Sequence, residues 1–520
     1  MSGLGHTRAV GLSGVRGFVV DVEAYVSAGL PAFGISGLGD ATVAQSPRRI
    51  CAAASAITLP ASQRRITVNL SPAGLRKTGP GFDLAIFVAV AAAMDAVPRH
   101  VVRQVVHLGE LGLDGSVRAV PGVMPAVHAA AKEGIRHVVV PVDNAAEAAL
   151  VPGVRVHPVA DVAELVQRYR ALGDGLPVPD LEVPLAAEVL RDGGEKDLAD
   201  VLGQSEAKLA LEIAAAGGHH LMLAGPPGAG KTMLAERLPG LLPPLDDELS
   251  MEVTSIHSVL GALGGDVRLI RRPPFVAPHH GASQAAVIGG GSGRIRPGAI
   301  TQAHGGVLFL DETPEFDKGV LQSLRTPLER GTVTIARALE SVTFPAAFQL
   351  VLAANPCPCG NGWGRGLDCT CSPMMRRAYF GKLSGPLLDR VDLQVHVQPP
   401  GLALAGQPPG EPTAEVAARV TTARAVQHAR WSTDARMGQL RPRLNSRVPG
   451  TVLRATRWRL PACDTRAIDR ALELGSISLR GYDRAVRVAW TVADLQGQQR
   501  PSRDHVELAL SLRRPAGEAA

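Results

Sequence analysis

The stretch Gly225-Pro-Pro-Gly-Ala-Gly-Lys-Thr232 constrains this chain more than any other. It fits G-x-x-x-x-G-K-[ST], follows the apolar run His219–Ala224, and runs into the helix-forming segment Thr232–Leu238. A strand passing through a glycine loop into a helix predicts an α/β fold and lifts the match above a chance string. Gly225, Gly228 and Gly230 let backbone N–H groups converge on phosphate, with Pro226, Pro227 and Ala229 filling the loop. Lys231 is expected to neutralise β/γ-phosphate charge, and the Thr232 hydroxyl to coordinate Mg²⁺. The bland alternative is a glycine-rich turn with an exposed lysine. Composition argues against it, because the chain has 7 Lys against 47 Arg and one of the few falls here.

A second segment, Gly306-Val-Leu-Phe-Leu-Asp-Glu312, reads as a buried strand ending in two carboxylates. Many strands end that way. Paired with the loop, the run places Asp311 at the Mg²⁺ water shell and makes Glu312 the candidate general base for an attacking water. ATP and Mg²⁺ are therefore the expected ligands.

At 520 residues the chain exceeds one comfortable core, and two to four domains are expected. It has no run of eighteen apolar residues and no basic-then-apolar N-terminus, so neither a membrane span nor a secretory signal is expected, and the cytoplasm is the anticipated compartment. Residues 1–172 alternate short strands (Phe18–Val26, Arg65–Leu70, His137–Pro141) with helices (Phe82–Met94, Asn144–Leu150). Residues 173–195 read as a linker, 196–398 as a core around the glycine loop, and 411–514 as a helical segment after a Pro/Gly-rich break.

Two residue classes are unevenly spread. Residues 415–514 hold 19 Arg, no Lys and 9 acids, a local charge of +10 that suits a phosphate backbone or, equally, a solvated helical surface. Cys357, Cys359, Cys369 and Cys371 form two C-x-C pairs, tighter than the usual zinc spacing, across a glycine-rich loop with Gly360, Gly362, Gly364 and Gly366. Structural Zn²⁺ competes there with free or redox-active thiols. Cys51 and Cys463 stand alone among apolar residues, as small buried cysteines do.

Further stretches carry a resemblance: Asp200–Gln204, Ala277-Pro-His-His-Gly281, Leu324–Gly331, Ala354-Asn-Pro-Cys-Pro-Cys-Gly360 and Gly385–Leu393. With the loop and the Asp-Glu strand they resemble the YifB/ComM family of magnesium-chelatase-like AAA+ ATPases over nearly the full length. The resemblance implies an AAA+ P-loop NTPase core over 196–398 and an α-helical C-terminal lid over 411–514. It puts Asn355 at the water-orienting sensor position. It makes Arg390 an arginine finger reaching a neighbouring subunit's γ-phosphate, and Arg480, with Arg484 as a substitute, the arginine of the lid. The ordinary alternative for each arginine is a surface ion pair. A finger supplied in trans implies a ring, by resemblance a homo-hexamer. Gln45–Arg49 and Gly37–Asp40 depart slightly from the family.

Residues 1–172 also resemble the catalytic domain of Lon-type proteases, an α/β fold of the ribosomal protein S5 domain 2-like kind, in Gly109–Gly115 and Gly134–Pro141. Gly81 falls where that family has its serine, and Met124 where it has its lysine, so peptide hydrolysis is not expected. Arg64, Arg65, Arg76 and Lys77 form a basic cluster that either binds a partner or stays a solvated loop. Two function classes follow. One is a ring motor acting on single-stranded or branched DNA as a helicase or branch-migration translocase, in recombination or natural transformation. In it, the loop Gly289–Pro297 offers Arg294 and Arg296 to a pore, unless it is simply an exposed loop. The other is a motor that remodels protein or serves a metal chelatase without DNA activity. For His279 and His280, packing or an interface outweighs a metal role.

Overall fold

The computed structural model describes residues 3–174, 196–263, 267–291, 295–337, 340–362, 367–383, 385–399, 410–437 and 443–513. Most of the expected linker, Arg294, Gly364, Gly366 and most of the Pro/Gly-rich break lie outside them. The chain forms two compact units.

The first unit is built on a seven-stranded mixed sheet, in the spatial order 32–36, 65–71, 16–27, 3–13, 105–107, 137–141 and 155–159. The long strands Gly3–Ser13 and Arg16–Ser27 pair antiparallel, from Gly3 opposite Val26 to Ser13 opposite Arg16. The last three strands run parallel to one another. Helix Asp83–Ala93 is apolar all round, and every residue in it is buried, as an unbroken Ala/Val/Leu run requires. It lies directly on the first strand. A Cβ at Gly3 or Gly5 would come within 1.9 Å or 2.0 Å of the carbonyl oxygens of Ala93 and Ala89, so only glycine admits this approach. Asp83 at the head of the helix is buried and accepts from Ser46 Oγ (2.5 Å) and from Arg49 Nε and Nη2 (2.5 and 3.0 Å).

Residues 248–270 belong to this first unit, although the sequence order puts them inside the central core. Their attachment is specific. The Ser258 hydroxyl donates to Glu147, the Ser258 carbonyl accepts from Gly122 N (3.1 Å), and Met251 and Leu269 pack on the apolar cluster around Met124 and Val138. Glu147 also accepts from Met124 N (2.9 Å), and Asn144 accepts from Val120 N (2.9 Å). One buried polar network thus fixes the 120–124 turn.

The second unit carries a five-stranded sheet in the order 275–276, 307–310, 349–354, 221–224 and 393–396, with every neighbouring pair parallel. Helices Ser205–Gly217 and Lys231–Leu241 contribute to its apolar core. Helices Thr413–Ser432, Ala462–Glu473, Leu479–Leu495 and Arg503–Ser511 follow in sequence. These later helices have no core of their own: Val416, Val420, Trp431, Trp490 and Val506 share one cluster with the sheet residues Leu221 and Val351. Trp431, Trp458 and Trp490 pack together with ring centroids 4.9–6.0 Å apart, and Arg430 lies 4.5 Å from the Trp490 centroid. Among the described residues no helix is long and apolar enough to cross a membrane.

Two expectations are corrected here. Cys463 is exposed and Cys51 only half-buried, because Cys463 falls on the outer face of helix Ala462–Glu473, where Thr465, Ile468 and Ala471 face inward. Lys77 is fully buried, its ammonium donating to the Pro72 carbonyl, so it leaves the basic cluster; Arg64, Arg65 and Arg76 stay exposed.

Two buried histidines make stability depend on pH. His107, held between Thr7 Oγ1 (2.9 Å) and the Tyr169 hydroxyl (2.5 Å), is pushed down to about 3 by burial and then by His157. His220 is pushed down to about 4 by burial, against the pull of Asp392. The unfolded chain takes up these protons near pH 6.5, whereas the folded chain resists them. Stability is therefore full above about pH 6.5 and falls below it, by up to about 1.4 kcal/mol per pH unit per histidine. A melting temperature lower at pH 5 than at pH 7 is the expected result; an unchanged one would contradict it.

Candidate functional site

Three adjacent parallel strands end side by side. Leu221–Ala224 pairs with Gln349–Ala354 so that Ala224 faces Ala354, and Leu310 faces Leu352 on the next strand. Their carboxyl ends deliver Gly225, Asp311 and Asn355 to one place. The first strand in sequence lies between the fourth and fifth, and at such a reversal the crevice beyond the strand ends is where ligands sit in open α/β sheets.

The glycine loop is shaped by this crowding. A Cβ at Gly225 would lie 2.2 Å from the Val397 carbonyl oxygen, and Gly228 and Gly230 take left-handed φ values of +74° and +91°. Gly230 precedes helix Lys231–Leu241, whose free N–H groups and dipole open toward the loop. Lys231 is 7% exposed, and its ammonium donates to the carbonyls of Gly225 (2.7 Å) and Pro226 (2.8 Å) and to Asn355 Oδ1 (3.0 Å). Burial lowers its pKa, against the opposing pull of Asp311 and Glu312. The Thr232 hydroxyl donates to Asp311 Oδ2 (2.8 Å), and Asp311 Oδ1 accepts from Glu312 N (2.8 Å). Glu312 adopts a left-handed φ of +48°, costly for a side-chain-bearing residue, in a turn held by Thr313 Oγ1 donating to the Leu310 carbonyl (2.8 Å). Lys231, Thr232, Asp311, Glu312 and Asn355, drawn from three distant segments, are thus brought together.

Two contributors escaped the sequence reading in this role. His280 Nδ1 lies 3.1 Å from Glu312 Oε2, with the His279 ring centroid 4.1 Å from its own and tilted by 34°. The signal was present in Ala277-Pro-His-His-Gly281, but nothing local told which carboxylate the pair would meet. Gln204, at φ +56°, donates to the Ala229 carbonyl (3.2 Å) of the loop and to the Gln398 carbonyl (2.6 Å).

The arginines divide. Arg390 is 8% exposed, ion-paired with Glu329 and donating to the Pro386 carbonyl; none of these partners belongs to the glycine loop. Arg480 is exposed at the start of helix Leu479–Leu495. Arg484, its proposed substitute, is bound elsewhere: it pairs at 2.6 Å with buried Asp392, which also accepts from His220 N (2.9 Å). Burial alone would raise the Asp392 pKa, but Arg484, then His219 and His220, hold it well below the carboxylate range.

Much of the C-terminal arginine surplus is likewise internal. Arg430 pairs with Asp494, Arg454 with Asp483 and Arg419 with Glu212, while Arg424, Arg487 and Arg513 donate to the buried carbonyls of Ala215, Val448 and Val391. Arg436, Arg454, Arg457, Arg459, Arg466, Arg470, Arg480, Arg500 and Arg503 remain exposed, and Arg296 is exposed as well. The local charge of +10 already counts Asp494 and Asp483; beyond it, Glu212 takes up Arg419, and backbone carbonyls hold Arg424, Arg487 and Arg513.

The four cysteines converge. All four Sγ atoms lie within 4.8 Å of one another, with Cys357–Cys359 at 3.3 Å and Cys369 at 3.7 Å from each. Four thiolates about 2.3 Å from one tetrahedral zinc would stand about 3.8 Å apart. Gly362 N donates to Cys357 Sγ (3.2 Å). Burial pushes the Cys357 thiol up to about 12, while the Asn361 N–H draws Cys359 down to about 6.

In the first unit, Gly81 and the 120–124 turn line one small apolar cavity, together with Leu12, Gly79 and Pro80; Thr78 supplies the one side-chain hydroxyl in its lining. Met124 is buried beside it. No serine–lysine pair faces this cavity.

Comparison with known proteins shows the family. Residues 197–403 match the family described as magnesium chelatase, subunit ChlI; residues 22–144 match subunit ChlI of Mg-chelatase, and 410–513 the C-terminal part of subunit ChlI. Protein YifB of Escherichia coli is 38% identical over 512 residues, covering 98% of this chain and 96% of its own. Competence protein ComM of Haemophilus influenzae is 38% identical over 510 residues, covering 96% and 95%. The chain belongs to the YifB/ComM family of magnesium-chelatase-like proteins. A Mycobacterium tuberculosis relative, Rv2897c, is 46% identical over 516 residues, 98% of both chains. For this YifB/ComM-family chain, the family suggests ATP and Mg²⁺ as ligands.

The His280 contact generates a prediction. His280→Ala frees Glu312 without touching the loop, so the turnover number should change while nucleotide affinity holds. The change can reach about 100-fold, the cost of misplacing a reacting group by about 1 Å. An affinity change as large as the turnover change would mean that His280 supports binding instead.

Proposed function

We propose that this chain is an ATP-hydrolysing motor that assembles into a ring, in our reading a homo-hexamer, and acts on DNA as a helicase or branch-migration translocase in recombination or natural transformation. The observation carrying the reading is the meeting of Lys231, Thr232, Asp311 and Asn355 at three neighbouring strand ends. Backbone N–H groups of 228–231 and the Lys231 ammonium hold the β- and γ-phosphates. Thr232 and Asp311 hold Mg²⁺, which when bound draws charge from the phosphate oxygens. Glu312, oriented by His280, takes the proton of the attacking water, and Asn355 keeps that water in line.

Arg390 supplies the finger, leaving Glu329 to enter the neighbouring subunit's site, and Arg480 serves as the arginine of a helical lid over 411–514. The N-terminal region is a Lon-like domain without protease chemistry, consistent with Gly81 and Met124 in place of a nucleophile and its base. The four thiolates hold one structural Zn²⁺. Arg390→Ala should keep ATP binding and lose turnover, by roughly 10³-fold if the finger acts as fingers do in related phosphoryl transfer. Wild-type turnover in that variant would remove the assignment.

DNA is favoured by the name competence protein, carried by a relative at 38% identity, and by exposed Arg459, Arg466 and Arg470. A second reading, a protein-remodelling or chelatase-associated motor without DNA activity, is favoured by the three matched segments of a magnesium-chelatase subunit family. ATPase rates with and without forked DNA, at two stated salt concentrations, separate the two. The DNA reading predicts stimulation that falls steeply with salt. It also predicts that Arg466→Ala combined with Arg470→Ala lowers the magnitude of the log–log salt slope by about 2. No DNA binding even at low salt would favour the second reading.

A further inference from the structure

The four-cysteine loop does not stand apart from the nucleotide crevice. It begins two residues after Asn355, whose side chain accepts from Lys231 (3.0 Å). Its first turn closes through Gly360 N donating to the Cys357 carbonyl (3.0 Å), and this turn presses on the glycine loop. A Cβ at Gly360 would lie 2.6 Å from Pro227 Cγ and 2.9 Å from Pro227 Cδ, and Gly360 has a left-handed φ of +80°. Pro227 is a member of the phosphate-binding stretch itself. Gly360 therefore sits close against the Pro227 ring, on the stretch proposed to hold the phosphates.

The far end of the loop is anchored too. Cys369 and Cys371 lead into helix Pro373–Gly381, which Ser372 caps by accepting from Met375 N (3.2 Å). Tyr379 of this helix is 4% exposed; burial first, then the charge of Glu315, raises its pKa, while the nearby Asn355 backbone pulls it down. Both ends of the segment 357–371 thus converge on the Asn355 position, while its first turn abuts Pro227. Cys357 and Cys371 are buried, and all four sulfurs lie within 4.8 Å of one another, which matches one tetrahedral ion better than two separate thiol pairs. Glycines 360 and 362 give the turn little stiffness of its own. Gly362 packs its Cα against the sulfurs, where a Cβ would come 3.0 Å from Cys357 Sγ.

We propose that the cysteine loop is a zinc-held clasp on the phosphate-binding loop: Zn²⁺ bound by Cys357, Cys359, Cys369 and Cys371 keeps Gly360 against Pro227 and Asn355 against Lys231, and so sets nucleotide affinity. This rests on the zinc reading given above and adds a consequence that a merely structural ion, stabilising its own loop, would not have. Zinc and nucleotide are then linked: each raises the affinity for the other by the same factor. The thermodynamic reason is ordering. A glycine-rich turn freed of its ion must be re-fixed when phosphate binds, and that conformational entropy is charged to the nucleotide.

The test uses the full-length protein, elemental analysis for zinc, and a fluorescent ATP analogue with Mg²⁺ as the binding probe. Stoichiometric zinc is expected in the purified protein. Removing it with a zinc-selective chelator should weaken analogue binding roughly tenfold, inside the usual range for coupled sites, and restoring zinc should recover it. Gly360→Ala, which forces the turn away from Pro227 but leaves all four thiols, should keep its zinc and show a similar weakening. Protein without stoichiometric zinc overturns the metal reading on which the clasp rests. Zinc-loaded and zinc-stripped protein with equal affinity, or zinc-loaded Gly360→Ala with wild-type affinity, overturns the clasp and leaves the metal site standing.

Discussion

The Lys231 ammonium is the interaction on which the rest of the second unit depends. A cation buried to this degree needs close oxygen partners, because desolvation of an unpaired charge costs several kcal/mol. It finds them in two loop carbonyls and in Asn355 Oδ1, 124 residues further along the chain. Those partners can meet it only if the strands before Gly225 and before Asn355 lie side by side in matched register. The parallel sheet, the glycines that let the loop fold back, and the helix that starts at Lys231 all serve that requirement. The same arrangement gathers the loop's N–H donors, the Lys231 ammonium and the carboxylates of Asp311 and Glu312 around one crevice.

Local signals were legible where they were self-contained. The glycine loop, the apolar strand before Asp311, and the helix over 83–93 each follow from residue type and spacing, and the structure forms them within three residues. The convergence of the four cysteines was readable from two close pairs and a glycine-rich loop. What was not legible is what depends on partners far away in sequence. Residues 248–270 join the first unit because Ser258 meets Glu147 and Gly122, contacts no local pattern announces. The charge of the C-terminal segment looked wholly available to a ligand, yet Glu212, outside the segment, takes up Arg419, and backbone carbonyls hold Arg424, Arg487 and Arg513. His280 is a further case, since only the fold tells which acid it will face.

The two ends of the second unit's sheet are organised by opposite means. At the carboxyl ends, charge is concentrated: Lys231 meets Asn355, Thr232 meets Asp311, and half-buried His280 meets Glu312. At the amino ends, buried Asp392 accepts from His220 N and pairs with Arg484, beside buried His219, where strand Leu393–His396 lies next to Leu221–Ala224. A rigid base under a polar rim is what lets small displacements of Asn355 or Glu312 matter for chemistry. Arg390 belongs to neither end. Its pairing with Glu329 in the same chain means that service in another subunit's site exchanges one carboxylate partner for a phosphate.

That exchange is the most exposed point of the account, and one rate measurement bears on it directly. Lys231→Ala and Arg390→Ala proteins are each expected to hydrolyse ATP poorly. Mixed in equal amounts, they form interfaces where an intact loop from one subunit faces an intact arginine from the other. Steady-state ATP hydrolysis by the mixture, well above the sum of the two variants measured alone, is the predicted result. A mixture that turns over ATP no faster than that sum would contradict a site completed between subunits.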